Sequence, residues 1–223
     1  MKLIAIGGGG FTADTDRYLD DFTLSLARGS QTRLGFITTA SNHDAQRIER
    51  FNRLMVPKVK LGLHLSPSAS CSELLTWLEG IDLLYIGGGD TNLLQSIWSQ
   101  RNYWPVLQSA ISRGLWIAGV SAGAVVWFEA ALIRNSHKSL QIISGQGLIA
   151  GSVCAHFSSE PDREVPYIKA IQADDIPSGI AIDDGVAVVF EPGKIPYYVT
   201  ARAKNYARYV SKTGTSSLNK MYG

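Results

Sequence analysis

Short apolar runs at residues 3–6, 34–38, 59–65, 83–86 and 116–120 alternate along this chain with helix-like stretches at 14–28, 45–56, 72–78 and 91–113. Strands buried on both faces read as near-continuous apolar runs, because crossover helices cover both sides of a parallel sheet. Regular alternation of such runs with helices is how that sheet is built. The first helical stretch sets Tyr18, Leu19, Phe22 and Leu26 on one face at spacings of three and four residues, and Gly29 stands where a C-terminal cap is needed. After residue 135 the runs shorten, at 140–143, 179–182, 187–190 and 197–201, the last three closely spaced by Gly, Pro and Asp turns. These predict extra strands, some antiparallel, at the edge of the same sheet. The expected fold class is α/β, three layers around a mostly parallel sheet, as a single domain over 1–223 with a basic C-terminal segment at about 204–223.

Composition excludes several classes of function. With 223 residues, 45% hydrophobic and 18% charged, the chain suits a soluble globular protein, and a net charge of +2 gives no general pull toward nucleic acid or a membrane. Lys204, Arg208, Lys212 and Lys220 in the basic segment read as a solvated tail or an oligomer contact. Cys71 and Cys154 are too few for a disulfide framework or a zinc site and read as reduced thiols. The amino-terminal apolar run stops at glycines after four residues, too short for a secretory signal, so the expected location is cytoplasmic. Residues 115–133 carry one charge, Glu129, and approach the length of a membrane helix. Gly119, Ser121 and Gly123 interrupt them, so a buried strand, a tight turn and a helix in series is the better reading.

That turn carries the chemistry. Gly119-Val120-Ser121-Ala122-Gly123 follows an apolar strand and precedes a helix-forming run at 122–131. A nucleophile elbow needs this strand–turn–helix setting, with small residues on both sides of a strained serine. The helix N-terminus adds a free N–H and a positive dipole. The alternative is a tight βα turn in which Ser121 only caps the helix. A serine needs a base, and His156, at the end of an apolar segment, is a better placed candidate than His43, His64 or His137. A third group must orient the imidazole. Asp183 and Asp184 both stand in a late turn, with Glu191 and Asp162 as lesser candidates, and the turn chemistry of Asp-Gly explains them equally well. A second glycine loop, Gly87-Gly88-Gly89-Asp90-Thr91, can bring backbone N–H groups to a phosphate or an oxyanion. The third glycine of a dinucleotide fingerprint is absent (Thr12 stands there after Gly7 and Gly9), as is the Gly-Lys-Ser/Thr of a P-loop, so the oxyanion is favoured.

Together, Gly-Gly-Gly-Asp-Thr-Asn at 87–92, Gly-Val-Ser-Ala-Gly-Ala at 119–124 and Ala-His-Phe at 155–157 resemble the dipeptidase E family of serine peptidases, which includes α-aspartyl dipeptidase and is related to cyanophycinase. The resemblance runs from the first strand to about residue 200. It implies a class I glutamine amidotransferase-like fold with serine in place of cysteine at the elbow. It further implies Ser121 as nucleophile, His156 as base, Asp184 as triad acid, Gly89 and Ala122 as oxyanion-hole donors, and Arg163 as a clamp for a substrate carboxylate. Where the family often has Glu before a small residue, this chain has the shorter Asp184, so either the backbone approaches His156 more closely or the pair is loose. An older family assignment puts an acid about fifteen residues after the serine, where this chain has Ser136. Arg163 also has a plain reading, an ion pair with Asp162 or Glu164. The implied activity is hydrolysis of short peptides, dipeptides with N-terminal Asp foremost, through an acyl-enzyme and without metal or cofactor, by a monomer or homodimer. Hydrolysis of β-aspartyl or other amide bonds, or a non-catalytic binding role, are the alternatives.

Overall fold

The computed structural model describes residues 1–221. Strands β1 (Lys2–Ile6), β2 (Arg33–Ile37), β3 (Leu61–His64), β4 (Leu83–Ile86) and β5 (Trp116–Val120) form the parallel part of an eight-stranded sheet. Its order is completed by β10 (Val186–Phe190), β11 (Tyr197–Thr200) and β14 (Asn219–Lys220), with β10 antiparallel to both β1 and β11. Alternation along β1 shows why both faces are covered. Leu3 and Ala5 join one core cluster and Ile4 and Ile6 another, all four fully buried. Helices α1 (Arg17–Ala27) and α2 (Ala45–Leu54) cover the second cluster. Helices α3 (Cys71–Glu79), α4 (Thr91–Gln100) and α5 (Tyr103–Ser112) cover the first. The helical stretch at 91–113 is thus two helices, broken at Asn102, whose φ of 54° is left-handed.

The structure departs from the sequence reading after Ser121. The run at 122–131 is helical for only one turn, α6 (Ala122–Val125), and the chain then enters β6 (Phe128–Arg134). Val125, Val126, Trp127 and Phe128 are β-branched or aromatic and favour a strand, while the Trp127 indole donates to the Gly123 carbonyl at 2.9 Å and closes the turn. β6 belongs to a second sheet of six strands, ordered β13-β12-β9-β8-β6-β7, rather than to an extension of the first. Its other members are β7 (Leu140–Ser144), β8 (Ile149–Cys154), β9 (Gly179–Ile182), β12 (Ala207–Ser211) and β13 (Gly214–Ser217). One face of this sheet shares a cluster with the first sheet, through Phe128, Val153, Ile182 and Val188. The other face packs on α7 (Glu164–Gln172) through Phe157, Tyr167 and Ile171.

The basic segment is not a solvated tail. β12 pairs with β9, β14 pairs with β11, and Arg208 is an internal ion-pair partner. No helix among the described residues is long and apolar enough to cross a membrane. Both cysteines are free, and burial pushes the Cys154 thiol up to about 12.

Because β1, β2, β4 and β5 are parallel, their carboxyl ends lie at one edge, where open α/β sheets place their ligands. The loop after β1 is fixed by Asp20 of α1, which is 1% exposed and accepts the Phe11 N–H at 3.0 Å with one oxygen, while its other oxygen has no hydrogen-bond partner among the described residues. Burial raises this carboxyl to about 7, only partly countered by the Phe11 hydrogen bond. The unfolded chain releases the proton near the ordinary 3.8, so stability from Asp20 is complete below that value and is lost as pH rises through 7. Asp20→Asn is therefore expected to lessen the fall in melting temperature that the wild-type protein undergoes between pH 5 and pH 8, as read by scanning calorimetry at both values.

Candidate active site

At the end of β5, Ser121 has φ 51° and ψ −114°, a conformation in which a non-glycine residue is strained. Such strain persists only where the surroundings enforce it. A methyl group on Gly119 would run into the Gly123 carbonyl, and one on Gly123 into the Ile86 carbonyl, so the elbow closes only with glycine at both positions. The Ser121 N–H donates to Ile6 at 2.9 Å, tying the turn to β1. Its side chain makes no cap hydrogen bond to α6, which removes the helix-cap alternative. The hydroxyl instead lies 2.9 Å from His156 Nε2.

His156 follows β8 and stands in the second sheet's contribution to the cleft. Its Nδ1 lies 2.6 Å from Asp184 Oδ1. Burial alone would raise the Asp184 carboxyl, but the His156 hydrogen bond and charge, with Ser159 and Arg202, outweigh it and hold the group below its ordinary value. The carboxylate is thus the form that faces the imidazole. Asn205 donates to the Asp184 carbonyl at 2.8 Å. The short aspartate reaches because Gly8 lies directly beneath: a methyl group there would overlap Asp184 Oδ1 and come within 2.8 Å of His156 Cε1.

The neighbouring acid is used elsewhere. Asp183 is 1% exposed, is bound by Arg208 Nη2 at 2.9 and 2.8 Å, and accepts the Tyr206 N–H at 3.1 Å. Glu191 pairs with Lys194 and Asp162 with Arg134. His43 and His64 both meet the Thr38 hydroxyl, at 3.2 and 2.9 Å, and do not line the cleft. His137 is exposed in a polar turn.

Ser121, His156, Gly89, Ala122 and Arg163 line one cleft of about 590 Å³, within the range of small-ligand sites. Ala122 begins α6, where a backbone N–H has no intrahelical acceptor, and Gly89, which follows β4, lines the same cleft. Ser136, where the older assignment wanted an acid, also reaches the rim. Arg163 is 4% exposed and paired, with Nε on Glu160 at 2.9 Å and Nη1 on the Leu132 carbonyl at 3.2 Å. The partner is Glu160, not Asp162 or Glu164, and Arg134 bonds the same Glu160 oxygen at 2.6 Å. Sequence reasoning missed Gly8, Glu160, Arg47 and Arg50, which all line this cleft. The i, i+3 spacing of the two arginines on one helix face after a carboxyl-edge loop was the available signal.

Strand–serine–helix elbow, hydrogen-bonded imidazole and carboxylate define a hydrolase-like α/β site. The model of peptidase family S51 matches residues 3–197, and the chain belongs to that family, the dipeptidase E family of serine-type peptidases. It is 33% identical over 207 residues to "Uncharacterized peptidase YgaJ" of Bacillus subtilis (strain 168), covering 91% of this chain and 88% of that one. Among solved structures, a peptidase from an acI-B1 Actinobacterium superposes with a TM-score of 0.72 at 20% identity, covering 99% of this chain and 95% of that one. A putative peptidase E protein from Listeria monocytogenes EGD-e superposes with a TM-score of 0.64 at 21% identity, covering 87% and 96%. Both carry the class I glutamine amidotransferase-like fold.

The two adjacent aspartates have different partners, His156 for Asp184 and Arg208 for Asp183. Asp184→Asn should lower kcat by about 10³- to 10⁴-fold with little change in melting temperature. Asp183→Ala should destabilise by about 3–5 kcal/mol, because it leaves the Arg208 guanidinium buried without its partner. Peptidase assays and denaturant unfolding of both variants check this, and the reverse pattern would reassign the acid.

Proposed function

We propose that the protein is a serine dipeptidase that hydrolyses short peptides, foremost those with N-terminal Asp, through an acyl-enzyme. The observation that carries this reading is the continuous hydrogen-bonded relay from Ser121 Oγ through His156 to Asp184, at 2.9 and 2.6 Å. His156 Nε2 takes the hydroxyl proton as Oγ attacks the scissile carbonyl, while Asp184 fixes the tautomer and stabilises the imidazolium. The N–H groups of Gly89 and Ala122 receive the oxyanion. His156 then gives its proton to the leaving amine, and water repeats the sequence on the ester.

Preference for N-terminal Asp is supported by the mixed charge of one cleft wall. Glu160 carries the hydrogen bonds of Arg163 and Arg134. Burial opposes ionisation of Glu160, but these arginines prevail and hold it below the ordinary carboxylate range. A carboxylate beside two guanidiniums suits a ligand that presents an ammonium and a carboxylate together. In this reading Arg163 meets the substrate's acidic side chain at the edge its pair with Glu160 leaves open.

Profiling an X-Leu dipeptide panel, with β-Asp-Leu included, tests the proposal. Wild-type protein should favour α-Asp-Leu, and Ser121→Ala should lower turnover by about 10⁶-fold to a residual rate. Full activity of Ser121→Ala would overturn the mechanism, and preference for β-Asp-Leu would move the substrate to isopeptides.

A further inference from the structure

The cleft's two walls differ in charge. On the second-sheet side the cations are neutralised: Arg134 bonds Glu160 and both oxygens of Asp162, and Arg163 bonds Glu160. Lys138 reaches the same rim but is exposed to water. On the α2 side, Arg47 and Arg50 stand half-buried without comparable compensation. Arg50 makes no ion pair among the described residues, and its Nη1 donates to the Thr12 carbonyl at 2.7 Å. Arg47 donates through Nη1 to the Gly88 carbonyl. Its carboxylate neighbour, Asp44, is 3.9 Å away and uses its other oxygen to cap α2. Asp90, the acid on this side of the cleft, is turned to its own helix, accepting from Asn92 and Leu93. Burial lowers the Arg47 guanidinium, against the pull of Asp44 and together with the push of Arg50. Two partly desolvated cations with so little countercharge are costly unless an anion completes the site.

We propose that Arg47 and Arg50 form a carboxylate subsite that holds the free C-terminal carboxylate of a dipeptide, and so limits the substrate to two residues. This deepens, and rests on, the peptidase reading above. Position supports the assignment. Gly88 immediately precedes the oxyanion donor Gly89, and a methyl group on Gly88 would lie 3.2 Å from Ser121 Cβ. Arg47 and Arg50 line the same cleft as Ser121, so an anion held by them shares that cleft with the nucleophile. Thr12, which anchors Arg50, lines the same cleft with Gly8 and Gly9. The division of charge supports it too. The Glu160 wall offers both signs and suits an amino-terminal aspartate, whereas on the α2 wall Asp44 and Asp90 are engaged as helix caps and the two arginines suit a lone carboxylate.

The test compares Asp-Leu with Asp-leucinamide, which differ in that carboxylate alone. Wild-type protein should prefer the acid by about tenfold to a hundredfold in kcat/KM, as expected for a charge-assisted hydrogen-bonded pair. The ratio should fall at least tenfold in Arg47→Ala plus Arg50→Ala, and partly recover in Arg50→Lys. A ratio within one preparation is insensitive to how much protein is folded. An unchanged ratio overturns the proposal. A second arm needs no turnover: calorimetric titration of Ser121→Ala protein with each peptide should show tighter binding of the acid, lost when the two arginines are also replaced. Equal affinity for acid and amide, or no binding of either, overturns the carboxylate subsite. Tight, arginine-dependent binding of the acid by a protein that hydrolyses neither peptide would instead sustain the subsite and sink the peptidase reading.

Discussion

The site depends on the turn at residues 183–185, where the chain passes from β9 in the second sheet to β10 in the first. Ser121 is delivered by the first sheet and His156 by the second, so their 2.9 Å contact exists only if the two sheets are held in register at this crossing. Three contacts do that. The Gly185 N–H donates to Gly8 at 2.8 Å and the Gly7 N–H to Val186 at 3.0 Å, binding the turn to β1, while Asp183 is clamped by Arg208 of β12. Asp184 then projects between them onto His156. The absence of a side chain at Gly8 is what lets the loops approach that far.

The elbow was legible in the sequence because its requirements are local. A strained serine needs small neighbours, and Gly119 and Gly123 answer direct backbone collisions that any larger residue would cause. The parallel strands were legible for a similar reason, since burial on both faces leaves runs such as residues 83–86 without a polar position. His156 followed from its place at the end of an apolar segment.

What was not legible depended on tertiary context. Residues 122–131 satisfy a buried helix and a buried strand equally well, and only the presence of a second sheet decides for β6. Strand β13 of the basic segment is invisible as pattern, because each of its residues is exposed and polar or glycine. Asp183 and Asp184 were ranked by the family resemblance and not by the residues themselves, since adjacent residues leaving a strand face opposite ways and nothing local says which way Arg208 lies. Arg163 drew attention as a cation near His156, but its pairing with Glu160 and the weaker compensation of Arg47 and Arg50 emerge only when the cleft is assembled.

In the proposed mechanism Ser121, His156 and Asp184 act as one relay rather than as three independent contributors. A double-mutant cycle on kcat/KM for Asp-Leu, using Ser121→Ala, Asp184→Asn and the combination, tests it most directly. A relay requires that the double variant be no slower than Ser121→Ala alone, because in it the carboxylate serves only the imidazole that activates the serine. Losses that multiply would show that Asp184 acts independently of Ser121 and would contradict the relay.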